Sequence, residues 1–179
     1  MARLTIDGYG QVELNNVAFR RDGRIEAQCA LSTSDFGPSA PAENGMILRV
    51  KKDKHEICFA DASAPNQLYA LNYSSEHMYD ERHPGLKNFK LVPGEFYPRV
   101  GYLAAGDLWT TNCIDLGSFA SASAVAAALT NGTVYAAAGT QGAAVLSTAA
   151  PTVGPVIQVI KKTTMPDGQD AFQLQVLSV

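Results

Sequence analysis

The stretch that decides the fold is VIQVIKKTTMPDGQDAFQLQVL, residues 156–177. Phe172, Leu174 and Val176 alternate with Gln173 and Gln175, a period of two that sends apolar side chains to one face of a strand and amides to the other. Val156 to Lys161 alternates more weakly. Between them Pro166-Asp167-Gly168 sets a turn, since proline fixes φ and glycine accepts a positive φ at little cost. The expectation is a hairpin. A regular strand at a chain end frays unless it is tied into a sheet, so this hairpin is expected to close a barrel or a sandwich.

Short strands and turns recur upstream. Leu108 to Ile114 reads as a strand after a Gly106-Asp107 turn, with Val100, Tyr102 and Leu103 before it. Asn131-Gly132 turns into Thr133-Val134-Tyr135, and Gly139 and Gly142 bracket a turn into Ala144 to Ser147. ASASAVAAAL, Ala120 to Leu129, stays open between two structures. Its alanines favour helix, yet it is short for an isolated helix, and serine alternates with alanine through its first half.

The N-terminal half follows the same pattern. Asp22-Gly23 is a hairpin signal. After it, Ile25, Ala27, Cys29 and Leu31 alternate with Arg24, Glu26, Gln28 and Ala30, which predicts one half-buried strand. Ser34 to Gly45, rich in proline and glycine, reads as an exposed loop. Met46 to Val50, Glu56 to Ala60 and Gln67 to Tyr73 read as strands, and residues 74–94 as a long connection. The fold class expected is all-β, a small barrel or sandwich built of hairpins with little helix. Residues 1–94 form an N-terminal β-rich region and residues 95–179 a C-terminal barrel-like domain.

Composition bounds the function. The 179 residues are 46% hydrophobic and 17% charged, with a net charge of −3. The charged share lies below the usual ~25%. A net negative chain offers no broad phosphate-neutralising surface, which argues against a nucleic acid partner. No apolar run approaches the ~18 residues of a membrane span, and the N-terminus has no core of signal-peptide length. Cys29, Cys58 and Cys113 are odd in number and widely spaced, which favours free buried thiols and synthesis in a reducing compartment.

One feature of composition stands apart. From Leu116 to Ile160 there is no Asp, Glu, Lys, Arg or His. Such positions are either buried or neutral surface, or they lie against another subunit, because interface cores are depleted in charge.

Motifs that carry chemistry are sparse. His55 and Cys58 stand three apart and point to opposite faces of a strand, and no second pair completes a four-ligand zinc site. The titratable run Glu76-His77-Met78-Tyr79-Asp80-Glu81-Arg82-His83 has residue types used in acid–base catalysis, but no nucleophile or cofactor motif is tied to it, and a solvated polar loop accounts for it. Gly139-Thr140-Gln141-Gly142 lacks the features of a phosphate or dinucleotide loop. Cys113 has no neighbouring His in sequence. Trp109, the sole tryptophan, anchors the core or an interface. The expectation is a protein that is not an enzyme, with no catalytic residues, cofactor or metal.

The order PRVGYLAAGDLWTTNCIDL, then LTNGTVYAAAG, then GPVIQVIKKTTMPDGQDAFQLQVL, spanning Pro98 to Val179, resembles small structural proteins encoded beside the major capsid gene of tailed bacteriophages, the decoration, cement or auxiliary head proteins. The resemblance implies a β-rich protein on the virion exterior, made in the host cytoplasm. It implies the major capsid protein as partner, self-association as a trimer or other homo-oligomer on the capsid lattice, and stiffening of the shell by bridging its subunits. Residues 1–94 would then be a second subdomain or a capsid-binding arm. The Ser34–Gly45 loop and residues 116–150 are the expected contacts. A tail or head-fibre base component is the alternative, and a small hydrolase using residues 76–83 a more distant one.

Overall fold

Val156–Thr164 and Asp170–Ser178 form the expected antiparallel hairpin, with Leu174 opposite Val159 and Phe172 opposite Lys162. Its turn closes through the Met165 N–H to Gln169 at 2.8 Å and the Gly168 N–H to Met165 at 2.8 Å, with Gly168 at φ 87°. The computed structural model describes residues 9–61, 67–74, 91–94 and 97–179. In chain order the strands are β1 (Val12–Asn16), β2 (Ile25–Glu26), β3 (Ala30–Leu31), β4 (Ile47–Lys51), β5 (Glu56–Phe59), β6 (Tyr69–Asn72), β7 (Val100–Tyr102), β8 (Leu108–Thr111), β9 (Ile114–Asp115), β10 (Tyr135–Ala138), β11 (Ala144–Ser147), β12 (Val156–Thr164) and β13 (Asp170–Ser178). Among the described residues two helices join them, α1 (Ala18–Asp22) and α2 (Ala122–Asn131).

The strands make two sheets. One runs β1-β8-β13-β12-β10-β11-β9, the other β2-β7-β6-β4-β5-β3. Neighbours are antiparallel except β11 with β9 and β3 with β5. The closing hairpin therefore lies inside the larger sheet, with β13 between β8 and β12. Each sheet keeps two edges, so the architecture is an open sandwich and not a closed barrel. The halves of the chain interleave: β1 joins the larger sheet and β7 the smaller.

The main core fills the space between the sheets. Trp109, Ile157, Phe172, Leu174 and Leu146 from one side meet Ile47, Tyr69 and Leu71 from the other, with Phe19 of α1 and Val125 of α2 packed against them. Burial of each such side chain contributes about 1.5–3 kcal/mol. A second cluster lies on the far face of the smaller sheet, where Leu48, Val50, Ala70 and Val100, with Leu31 of the edge strand β3, pack under Phe36, Ala42 and Leu91. The smaller sheet is thus covered on both faces, and all four residues of β6 are buried.

Four local expectations are corrected. Leu108 to Ile114 is not one strand: β8 ends at Thr111, and Ile114 belongs to β9, which pairs with β11 at the far edge of the same sheet. Asp22-Gly23 is not a hairpin turn. It ends α1, with Gly23 at φ 70° and its N–H returning to the Phe19 carbonyl. A left-handed glycine stops a helix as readily as it turns a hairpin, and burial of Phe19 in the core decides between them here. Ile25 to Leu31 is not one strand. The Glu26 carboxylate accepts the Ala27 and Gln28 N–H groups, and the two flanking strands pair with different neighbours, β2 with β7 and β3 with β5. Residues 34–45 are not simply an exposed loop, since Phe36 packs tilted against Phe59 at 4.4 Å between ring centroids and Ala42 is fully buried.

The ambiguous alanine segment is the helix α2. Ser121 caps it, its Oγ accepting the Ala124 N–H at 3.2 Å, and Val125 anchors it in the core. The cap satisfies one of the free N–H groups of the first turn.

Candidate functional site

The uncharged stretch is neither wholly buried nor wholly surface. In β10, β11 and β12 it alternates. Val134 before β10, then Ala136, Leu146 and Ile157, enter the core, while Tyr135, Ala137, Val145, Ser147 and Gln158 take the opposite face. Directly paired residues of antiparallel strands share a face, so register maps that outer face. Tyr135 pairs with both Ser147 and Gln158, and Ala137 with Val145. Further along, Gln175 pairs with Leu108, and Gln173 with Thr110.

The centre of this outer face therefore carries amides, hydroxyls and small apolar groups, all without charge. Charge returns at its margins: Glu13 beside Thr110, Lys161 beside Gln173, and Asp115 beside Val145. Among the polar side chains, Thr110 Oγ1 donates to Asn15 Oδ1 at 2.8 Å, and Gln173 Nε2 to the same oxygen at 3.3 Å. Beside β10 and β11 the loop Ala149–Thr152 borders a shallow depression of about 280 Å³ lined also by Tyr135, Ala137 and Ser147. Chemically the outer face can offer hydrogen bonds and apolar contact, and a partner would strip no ion of its water there.

The other residues singled out by sequence go elsewhere. Trp109 is fully buried in the main core. All three cysteines are free and buried. Burial, reinforced by the Glu43 carboxylate, pushes the Cys113 thiol up to about 12, the opposite of an activated nucleophile. His55 sits exposed in the turn between β4 and β5 at φ 51°, while Cys58 is buried in β5. Among the described residues no group of three or more His, Cys, Asp and Glu converges to hold a metal ion. Gly139 to Gly142 is a turn that ties the sheets together, the Gly142 carbonyl accepting the Ile47 N–H at 2.8 Å. The cluster Glu76 to His83 lies outside the described residues.

Charge concentrates at the end of the smaller sheet instead. Lys52 in the β4–β5 turn pairs with Glu26 at 2.5 Å and lies over the Tyr102 ring at 5.1 Å. The Lys52 bond holds the Glu26 carboxyl below its usual range, and the same bond raises the Lys52 ammonium.

No family model, no curated protein and no solved structure matches the chain.

Proposed function

We propose that the chain is a structural virion protein, a decoration or cement protein that binds the outer surface of a tailed-bacteriophage capsid and stabilises the shell by bridging its subunits. It acts without catalysis. The partners are the major capsid protein and further copies of the chain, arranged as a trimer or other homo-oligomer on the lattice. The sequence resemblance over Pro98 to Val179 names the setting. The observation that supports contact is the uncharged outer face of the larger sheet, rimmed by Glu13, Lys161 and Asp115.

The physics of that face suits such a role. Interface cores are depleted in charge, and charge at the rim costs little because it stays wet. An uncharged sheet face gives each contact modest strength, and repetition over a lattice multiplies it through avidity. The interleaved sandwich supplies a rigid body that transmits load between neighbouring capsid subunits.

Co-sedimentation of the purified chain with undecorated capsids tests the proposal, with light scattering of the free chain alongside. Saturable binding at a fixed ratio to capsid subunits is expected. Absence of binding, with a free chain that assembles into rings or tubes, would move the reading to a tail component.

A further inference from the structure

Tyr9 to Gln11 cross the end of β8, and side chains from elsewhere in the fold meet four of the five main-chain polar groups between the Tyr9 carbonyl and the Gln11 carbonyl. Asn112 engages twice. Its Nδ2 donates to the Tyr9 carbonyl at 2.8 Å and its Oδ1 accepts the Gln11 N–H at 2.6 Å. Glu43 Oε2 accepts the Gly10 N–H at 2.5 Å. Thr111 Oγ1 donates to the Gln11 carbonyl at 2.6 Å.

Two further contacts read side chains. Gln11 Nε2 donates to Asp167 Oδ2 at 2.6 Å, in the turn of the closing hairpin. At Gly10 a Cβ would stand 2.7 Å from both the Asn44 carbonyl oxygen and the Glu43 Cβ, so only glycine fits. Main-chain hydrogen bonds give affinity and side-chain pockets give specificity wherever a peptide is recognised by adding a strand. The segment continues directly into β1, an edge strand whose backbone pairs, among the described strands, with β8 alone, while Gln173 also holds Asn15 and Val12 and Leu14 pack against the main core. A single residue, Val17, joins β1 to α1, and α1 is fixed independently by Phe19 in the core. β1 can therefore leave without breaking any backbone pairing but its own with β8, and Val12 and Leu14 of a second copy would refill the places left on the core.

We propose that Asn112, Thr111, Glu43 and Asp167 form a peptide-binding cradle for a Gly-Gln segment followed by a strand. One copy fills it with its own residues 9–16, and it accepts the same residues from a second copy. Exchange of an identical element between protomers is a low-cost route to association. The covalently attached segment has the advantage of an effective concentration near the millimolar range, so exchange is favoured where copies are crowded. The cradle lies at the hairpin end of the molecule and stands independently of any binding to a capsid.

The test is a fluorescence-anisotropy titration of the full chain with a labelled peptide of residues 9–16. Gln11→Ala in the chain weakens its own segment and leaves Asn112, Thr111, Glu43 and Asp167 in place. Saturable peptide binding to this variant is expected, at least tenfold tighter than to the unaltered chain, where the segment competes. Adding Asn112→Ala, or replacing the glycine of the peptide by valine, is expected to weaken binding at least tenfold. No saturable binding to Gln11→Ala, or binding indifferent to Asn112→Ala, overturns the proposal. Hydrogen exchange on the unaltered chain gives a second reading. The amides of Val12–Asn16 are expected to exchange well before those of β13, and protection equal to β13 also overturns it.

Discussion

Asp107 caps a helix that begins 89 residues before it in the chain: its Oδ1 accepts the Ala18 N–H at 2.6 Å. Val17, at the cap position itself, offers no side-chain acceptor. The other carboxylate oxygen accepts the Ala104 N–H at 2.8 Å, and the Asp107 main chain pairs with Val176 of β13. One residue thus joins three places: its buried side chain ties α1 to the β7–β8 turn, and its main-chain carbonyl ties both to the closing hairpin. Asp107→Ala is expected to cost about 1–3 kcal/mol, since it removes a cap and takes the acceptor from the half-buried Ala18 and Ala104 N–H groups. Asp107→Asn keeps one acceptor and points a donor at another donor, so it falls between. Urea unfolding followed by the fluorescence of Trp109 measures both.

Gly101 of β7 tests how closely the helix packs. A Cβ there would run into the ring of Phe19. Its φ is not in the left-handed region, so the penalty is steric. Gly101→Ala is expected to destabilise by about 1–3 kcal/mol through overpacking. Combining it with Phe19→Leu is expected to recover part of that loss, a coupling that a double-mutant cycle reads directly.

Much of the fold is legible in the sequence because its signals are local. The hairpin of residues 156–177 combines a period of two with a Pro-Asp-Gly turn, and neither depends on distant residues. Asp22-Gly23 is less legible. The same dipeptide ends a helix or turns a hairpin, and the burial of Phe19, a tertiary contact, decides. The cap role of Asp107 is invisible in sequence, where only a Gly-Asp turn shows. The candidate face is half legible. The gap in charge from Leu116 to Ile160 is plain, but Gln173 and Gln175 join Gln158 and Tyr135 on one surface only because β13 lies between β8 and β12.

Alkaline stability follows from burial. Desolvation pushes Cys113 from the usual 9.0 up to about 12 and also raises Cys29, Tyr69 and Tyr73. The folded chain keeps these protons while the unfolded chain sheds them first. For Cys113 the stabilisation is complete below about pH 9 and is lost as pH rises from there toward 12. Urea midpoints are therefore expected to fall between pH 8 and pH 10.5, and Cys113→Ala to lessen the slope. Cys113 is also expected to resist thiol reagents in the folded chain at pH 8 and to react on unfolding.

Acid acts at the cradle. Burial alone would raise the Asp167 carboxyl, but hydrogen bonds from the Gln169 N–H and the Gln11 and Gln169 amides outweigh it and lower the group. Its contribution is present above the ordinary carboxylate value of 3.8 and is lost as pH falls through the lowered one. The protection factors of Val12–Asn16, taken against the intrinsic exchange rate at each pH, are expected to fall over that acid range ahead of those of β13. Asp167→Asn is expected to remove the difference.

A charge placed in the uncharged face separates folding from binding. Ala137 lies on that face opposite Val145, away from the core. Ala137→Glu is expected to change stability by no more than about 0.5 kcal/mol, as surface substitutions do. In the capsid co-sedimentation assay it is expected to weaken binding at least tenfold, because an unpaired carboxylate would have to be desolvated. Lys54→Glu, in the exposed β4–β5 turn, carries a larger change in charge and is expected to leave binding unaltered. Raising ionic strength from about 0.05 to 0.5 M shortens the screening length to a few ångströms, yet a neutral interface has little to screen. Binding by the unaltered chain is expected to hold across that range. A steep loss with salt would shift the contact to the charged end of the smaller sheet, around Lys51 to Lys54.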